Sequence, residues 1–103
     1  MTYARICGVD IYIDRDPNAK LYYFRIQYRG KMELPTMLGE FIEPLRVYNL
    51  ICAYLRENRI KCKPKIIKDR IANLLQSTFK KMGVEDEKTL DLKLFRWKRI
   101  SHK

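Results

Sequence analysis

Residues 5–14 read Arg5-Ile6-Cys7-Gly8-Val9-Asp10-Ile11-Tyr12-Ile13-Asp14, and no other stretch limits the fold so tightly. Taken as one strand, it alternates from Val9 onward. Val9, Ile11 and Ile13 face one way, and Asp10, Tyr12 and Asp14 face the other. A carboxylate taken out of water is strongly disfavoured unless it is paired or holds a cation. The second face therefore has two readings. Its acids sit at a sheet rim, in water or against an arginine, or Asp14 marks a cation or phosphate site where the strand ends.

A chain of 103 residues makes one domain, 1–103, rather than two. With 47% hydrophobic and 33% charged residues it suits a compact fold and not a disordered one. The apolar runs fall short of the ~20 residues of a membrane span. Met1 leads into strand pattern without a secretory leader. The expectation is a cytoplasmic chain with no membrane partner. Cys7, Cys52 and Cys62 form no C-x-x-C pair, and each lies in an apolar pattern. Reduced, buried thiols are expected, rather than zinc ligands or a secreted disulfide frame.

The formal net charge of +10 favours an acidic partner, DNA or RNA first. Its competing explanations are solubility and a Lys/Arg/Ile/Tyr habit of thermophilic, viral or archaeal flavour.

A second alternating run, Leu21–Arg29, follows the turn Arg15-Asp16-Pro17-Asn18-Ala19. Together with the first it predicts an antiparallel hairpin, with Tyr22, Phe24, Ile26 and Tyr28 on one face. Lys31–Leu38 reads as a third strand broken by Pro35, which only a sheet edge tolerates. Pro44 suits the first position of a helix. The apolar stripe of that helix is Leu45, Tyr48, Ile51, Cys52 and Leu55, and Asn58 ends it in a left-handed conformation. Arg59–Lys63 alternates, which predicts a short strand closed by Pro64. A long amphipathic helix then runs to about Met82 and buries Ile67, Ile71, Leu74, Leu75, Thr78, Phe79 and Met82. Gly83 suits the position past its end. Thr89–Trp97 alternates as a last strand before a basic tail.

In this order the chain resembles the ribonuclease H-like family. Val9-Asp10-Ile11-Tyr12-Ile13-Asp14 is similar to the family's first strand, with its metal-binding Asp. Ile26-Gln27-Tyr28-Arg29-Gly30-Lys31 is similar to the end of the second strand and its turn. Glu43 resembles the Glu that begins the first helix. Leu92-Lys93-Leu94-Phe95-Arg96-Trp97 resembles the last strand, and His102 stands loosely where a mobile histidine follows it. The resemblance implies a mixed α/β fold: a mixed five-stranded sheet, element order β-β-β-α-β-α-β, with two flanking helices. The alternative is a two-layer α+β sandwich, ferredoxin-like or unclassified.

For chemistry the resemblance implies Asp14 and Glu43 as metal ligands, with Asp10 a further catalytic candidate. Two-metal hydrolysis needs several carboxylates to hold ions about 3.5–4 Å apart. Where the family's third carboxylate belongs, this chain has Lys63-Pro64-Lys65-Ile66. Asp69 comes about a helical turn later, and the final helix with its acid is absent. An ammonium group at that place repels a metal. The implied function is a non-catalytic or decayed nucleic-acid-binding domain without a cofactor. One alternative is a divergent Mg²⁺-dependent nuclease. Phosphate contacts are expected from Arg25, Arg29, Lys31, Lys61, Lys63, Lys65, Lys68, Arg96, Lys98 and Arg99, with the middle cluster beside Asp14. Tyr22, Tyr23, Tyr28 and Trp97 are available to stack bases, although packing is the commoner role for such residues. A further alternative, of another class, is a small structural or interaction protein. It would act as a homodimer through Leu21, Tyr23 and the edge near Met32.

Overall fold

The computed structural model describes residues 2–81. In order they form β1 (Thr2–Ile6), β2 (Val9–Asp16), β3 (Leu21–Tyr28), β4 (Lys31–Met32), β5 (Thr36–Gly39), α1 (Pro44–Glu57) and α2 (Pro64–Lys81). The chain mixes α and β, and every strand pair is antiparallel. The sheet order is β1-β2-β3-β4, with β5 also on β3.

Residues 5–14 are not one strand. The chain reverses at Cys7-Gly8, and Ile6 pairs with Val9 across a two-residue turn. Cys7 has φ +49° and Gly8 φ +86°. Positive φ at both central positions is the type I′ geometry that matches strand twist. Glycine adopts it without a Cβ clash, and the cysteine does not. The alternation conceals the reversal because Ile6 and Val9 both land on the covered face.

That face carries Ile6, Val9, Ile11, Ile13, Phe24 and Ile26, all buried, beneath both helices. The hairpin between β2 and β3 forms as expected. Its turn is held by the Asp16 carboxylate, which accepts from the amides of Asn18 at 2.9 Å and Ala19 at 3.3 Å. β4 and β5 are two halves of one edge. β4 pairs with Gln27 and Tyr28, and β5 pairs with Tyr22 to Phe24. Between them the Glu33 amide donates to the Ile26 carbonyl at 2.8 Å. The broken edge strand expected around Pro35 is thus present, where a missing N–H is tolerated.

In α1 the buried residues are Pro44, Val47, Ile51 and Leu55. The helix is turned slightly from the expected stripe: Val47 enters the core and Leu45 stays 48% exposed. Tyr48 and Cys52 sit half-buried at its flank. The left-handed residue at its end is Arg59, at φ +55°, and not Asn58, at φ −97°. The Arg59 amide donates to the Arg56 carbonyl and the Ile60 amide to the Leu55 carbonyl. This is a Schellman ending, and Ile60 packs against the core.

The expected strand at 59–63 does not form. Its apolar residues Ile60 and Cys62 turn inward against the core, the segment pairs with none of the described strands, and a disulfide anchors it instead. Cys62 is bonded to Cys7, with a Cα–Cα distance of 5.9 Å. Only Cys52 keeps a free thiol. The expectation of three reduced cysteines is corrected for two of them, because each Cys of the pair sits at the same end of the fold.

α2 follows its expected stripe, with Ile67, Ile71, Leu74, Leu75 and Thr78 buried. The Thr78 hydroxyl donates to the Leu74 carbonyl at 2.7 Å. It also contacts the Thr2 hydroxyl, which itself lies within 3.4 Å of the Ile13 carbonyl. This pair ties the end of α2 to the start of β1.

No β-α-β crossover occurs among the described residues. The element order and parallel pairing of a ribonuclease H-like sheet are therefore not formed there. The arrangement is the two-layer alternative, an antiparallel sheet with both helices on one face, and it lacks the βαββαβ order of a ferredoxin-like fold. The expected strand Thr89–Trp97, Met82, Gly83 and the basic tail lie outside the described residues.

Thiol titration of the unfolded, unreduced protein is expected to give one thiol per chain. Closing a loop of 55 residues is worth about 4 kcal/mol on a chain-entropy basis. Cys7→Ser should therefore lower denaturant stability by roughly 2–4 kcal/mol. Three free thiols would show that the bridge is not formed.

Candidate nucleic-acid interface

A meander sends alternate turns to opposite ends of a sheet. The turns Cys7-Gly8 and Arg29-Gly30 share one end, and the 17–20 turn lies at the other. α1 starts beyond β5, at the 17–20 end. Its 14 residues span about 21 Å, so it delivers 58–63 to the end with the Cys7 turn. The disulfide fixes that arrival. α2 then runs back until Thr78 meets Thr2 and Phe79 meets Tyr22.

This routing gathers cations. Between residues 56 and 68 lie Arg56, Arg59, Lys61, Lys63, Lys65 and Lys68, against the single carboxylate Glu57. Arg29 and Lys31 join them from the turn after β3, with Lys31 paired to the Glu33 carboxylate at 3.9 Å. In 59–63 Ile60 and Cys62 pack inward, so Arg59, Lys61 and Lys63 are left exposed. Lys68 lies over the Tyr48 ring at 5.5 Å and Arg29 over the Tyr28 ring at 5.1 Å. Burial, followed by a hydrogen bond and charge from Cys52, pushes the Tyr48 phenol above its ordinary range. It therefore remains a neutral ring beneath the Lys68 ammonium. Tyr54 is raised likewise, first by burial and then by the Glu33 carboxylate and Tyr28. The first turn of α2 carries no acidic residue. Its positive dipole end adds to the lysines, a like-charge arrangement that an anion relieves.

The opposite end is closer to balance. Arg15, Lys20, Arg46, Lys80 and Lys81 accompany Asp14, Asp16, Glu40 and Glu43 there. The expected placement of the lysine cluster beside Asp14 is thus corrected. Val9 lies next to the Cys7 turn, and from it to Asp14 β2 covers roughly 17 Å, so Asp14 and Lys65 sit at opposite ends.

The carboxylates do not assemble. Asp10 pairs with Arg5 at 3.9 Å, and an Asp14 oxygen accepts from the Arg15 amide at 2.8 Å. Both lie on the sheet face turned away from the helices, the rim reading of the alternation. Glu43 instead occupies the position just before α1, in the helical layer, without a side-chain capping hydrogen bond. Among the described residues no group of three or more His, Cys, Asp or Glu side chains is placed to hold a metal. The donor set of Asp10, Asp14 and Glu43 does not fit a two-Mg²⁺ centre.

The remaining expectations divide. Arg25 pairs with Tyr12 on the open face, away from the cationic end. Tyr22 is buried in the core and Tyr28 packs against it, so neither offers a ring to a base. Tyr23 is on the open face beside the stacked rings of Tyr3 and Tyr12, 5.6 Å apart. That face sets Asp10, Asp14 and Asp16 against Arg5 and Arg25. Arg96, Lys98, Arg99 and Trp97 lie outside the described residues. Arg56 and Arg59 stand at this end as well, and the charge density from 56 to 68 is the sequence signal for both. Nothing in their spacing announced the joining of Cys7 to Cys62.

Comparison with protein-family models, curated proteins and solved structures gives no match. No helix among the described residues is long and apolar enough to cross a membrane.

In 0.5 M salt the positive field of this end is screened over about 4–5 Å. Lys61→Glu with Lys63→Glu should leave thermal stability within about 0.5 kcal/mol, because both side chains are exposed. A larger loss in a melting experiment would mean that these lysines hold the fold and are not a free surface.

Proposed function

We propose that the chain binds the phosphate backbone of DNA or RNA through the end that carries Arg29, Lys31, Arg56, Arg59, Lys61, Lys63, Lys65 and Lys68. The observation that carries this reading is the strapping of 59–63 to the Cys7 turn, which holds exposed cations of two chain segments at one end. Such contacts release counterions, so binding weakens steeply with salt. Contacts to phosphate position a protein without reading sequence, and the reading is therefore of a non-specific binder. It does not depend on ribonuclease H-like ancestry. The Cys7–Cys62 bond that carries the reading is at odds with the expected cytoplasmic location, because a reducing cytosol opens such bonds.

Fluorescence anisotropy on labelled DNA and RNA oligonucleotides tests the reading. Dissociation constants on the order of 10⁻⁶–10⁻⁴ M are expected at physiological salt. Replacing Lys61, Lys63 and Lys65 with alanine should weaken binding at least tenfold and flatten the log–log salt slope by roughly 2–3. Lys20→Ala with Lys80→Ala, at the opposite end, should change little. No binding at low salt, or equal effects of the two sets, would sink the proposal. With Mg²⁺ or Mn²⁺ added, DNA, RNA and hybrid should stay intact, and cleavage that Asp14→Asn abolishes would favour a nuclease instead.

A further inference from the structure

All three cysteines lie at the end of the fold where α1 passes into α2. Cys7 and Cys62 are joined, and Cys52 keeps a half-buried free thiol. Cys52 and Cys62 line one cavity of about 340 Å³, together with Tyr48, Arg56 and Lys61. Tyr48 is hydrogen-bonded to Cys52, which sets that sulfur on the cavity wall. Cys52, Ile60 and Cys62 all pack against the same core. A free thiol and one sulfur of the disulfide thus face a common space. The segment that carries Cys62 belongs to no helix or strand, so Cys62 moves toward Cys52 without breaking a hydrogen-bonded ladder.

We propose that Cys52 and Cys7 compete for Cys62 by thiol–disulfide exchange within one chain. The Cys52 thiol gives its proton to solvent, and its thiolate attacks the Cys62 sulfur. A Cys52–Cys62 bond forms as the Cys7–Cys62 bond breaks, and Cys7 leaves as a thiolate that takes up a proton. One disulfide and one thiol stand on each side of the step, so no oxidant or reductant is consumed. Loop closure favours the Cys52–Cys62 bond, which spans far less chain than the 55 residues between Cys7 and Cys62. The packing of 59–63 against the Cys7 turn favours the bond present in the structure. Because Cys7 is exposed, exchange carries the free thiol from the cavity to the surface. It also moves the anchor of Arg59, Lys61 and Lys63 from the sheet to α1. The position of these cations is then set by which sulfur holds Cys62. The exchange itself does not depend on nucleic-acid binding.

The test holds the oxidised full chain under native conditions at about pH 8.5 until exchange is complete. Acid then stops it, and N-ethylmaleimide in denaturant labels the free thiol. Non-reducing peptide mass spectrometry reads the position of the label. The expected result is label on Cys52 in some chains and on Cys7 in the others, each with its matching disulfide to Cys62. The rate at which Cys7 becomes available should not change with protein concentration. Cys52→Ser removes the attacking sulfur and should lower Cys7 labelling at least tenfold, with the circular dichroism spectrum unchanged. Label confined to Cys52, a Cys7 signal that grows with protein concentration, or a Cys7 signal that survives Cys52→Ser would overturn the proposal.

Discussion

Val9, Ile11 and Ile13 are wholly buried on one face of the central strand β2, and the rest of the structure follows from covering that face. The neighbours in register supply Ala4, Phe24 and Ile26 to the same side. A sheet that is apolar on one face must bury it against another layer. α1 and α2 both go there, and the other face is left to Asp10, Asp14, Arg5, Arg25 and the tyrosines. Two helices placed antiparallel on one face need a connection at one end of the sheet. That need, and not a motif, puts 58–63 beside the Cys7 turn.

The charge distribution is a consequence of this routing. Cations near the join of α1 and α2 meet those of the β3–β4 turn because both segments arrive at the same end. Acids that the alternation placed near the finish of β2, and those before α1, collect at the opposite end. The molecule is therefore polar along its strand direction. The disulfide adds loop-closure stabilisation to a domain of modest size. It also holds the lysines in place, since 59–63 has no strand partner to hold it.

Much of the fold was legible. The β2–β3 hairpin, the broken edge at Pro35, the start of α1 at Pro44 and the α2 stripe from Ile67 to Thr78 all follow from local period and turn chemistry. What was not legible depended on events that period cannot report. The reversal at Cys7-Gly8 keeps the same phase on both sides, so Ile6 and Val9 look continuous. The run 59–63 alternates like a strand, yet a strand is defined by a neighbour, and the helical layer offers none. The Cys7–Cys62 pairing is a tertiary fact with no signature in spacing. The basic cluster was visible as composition, but its location was misjudged through the ribonuclease H-like resemblance. That resemblance placed it beside Asp14, and an antiparallel meander placed it about a strand's length away.

The central claim is that one end of this sheet, and not its open face or its opposite end, meets a polyanion. Backbone amide chemical-shift mapping on titration with a short DNA or RNA oligonucleotide at low salt tests it most directly. The account predicts that the largest shifts fall in residues 29–31 and 56–68 and collapse when salt is raised. Shifts centred on Tyr3, Tyr12 and Tyr23, or on Asp14 and Glu43, would contradict it.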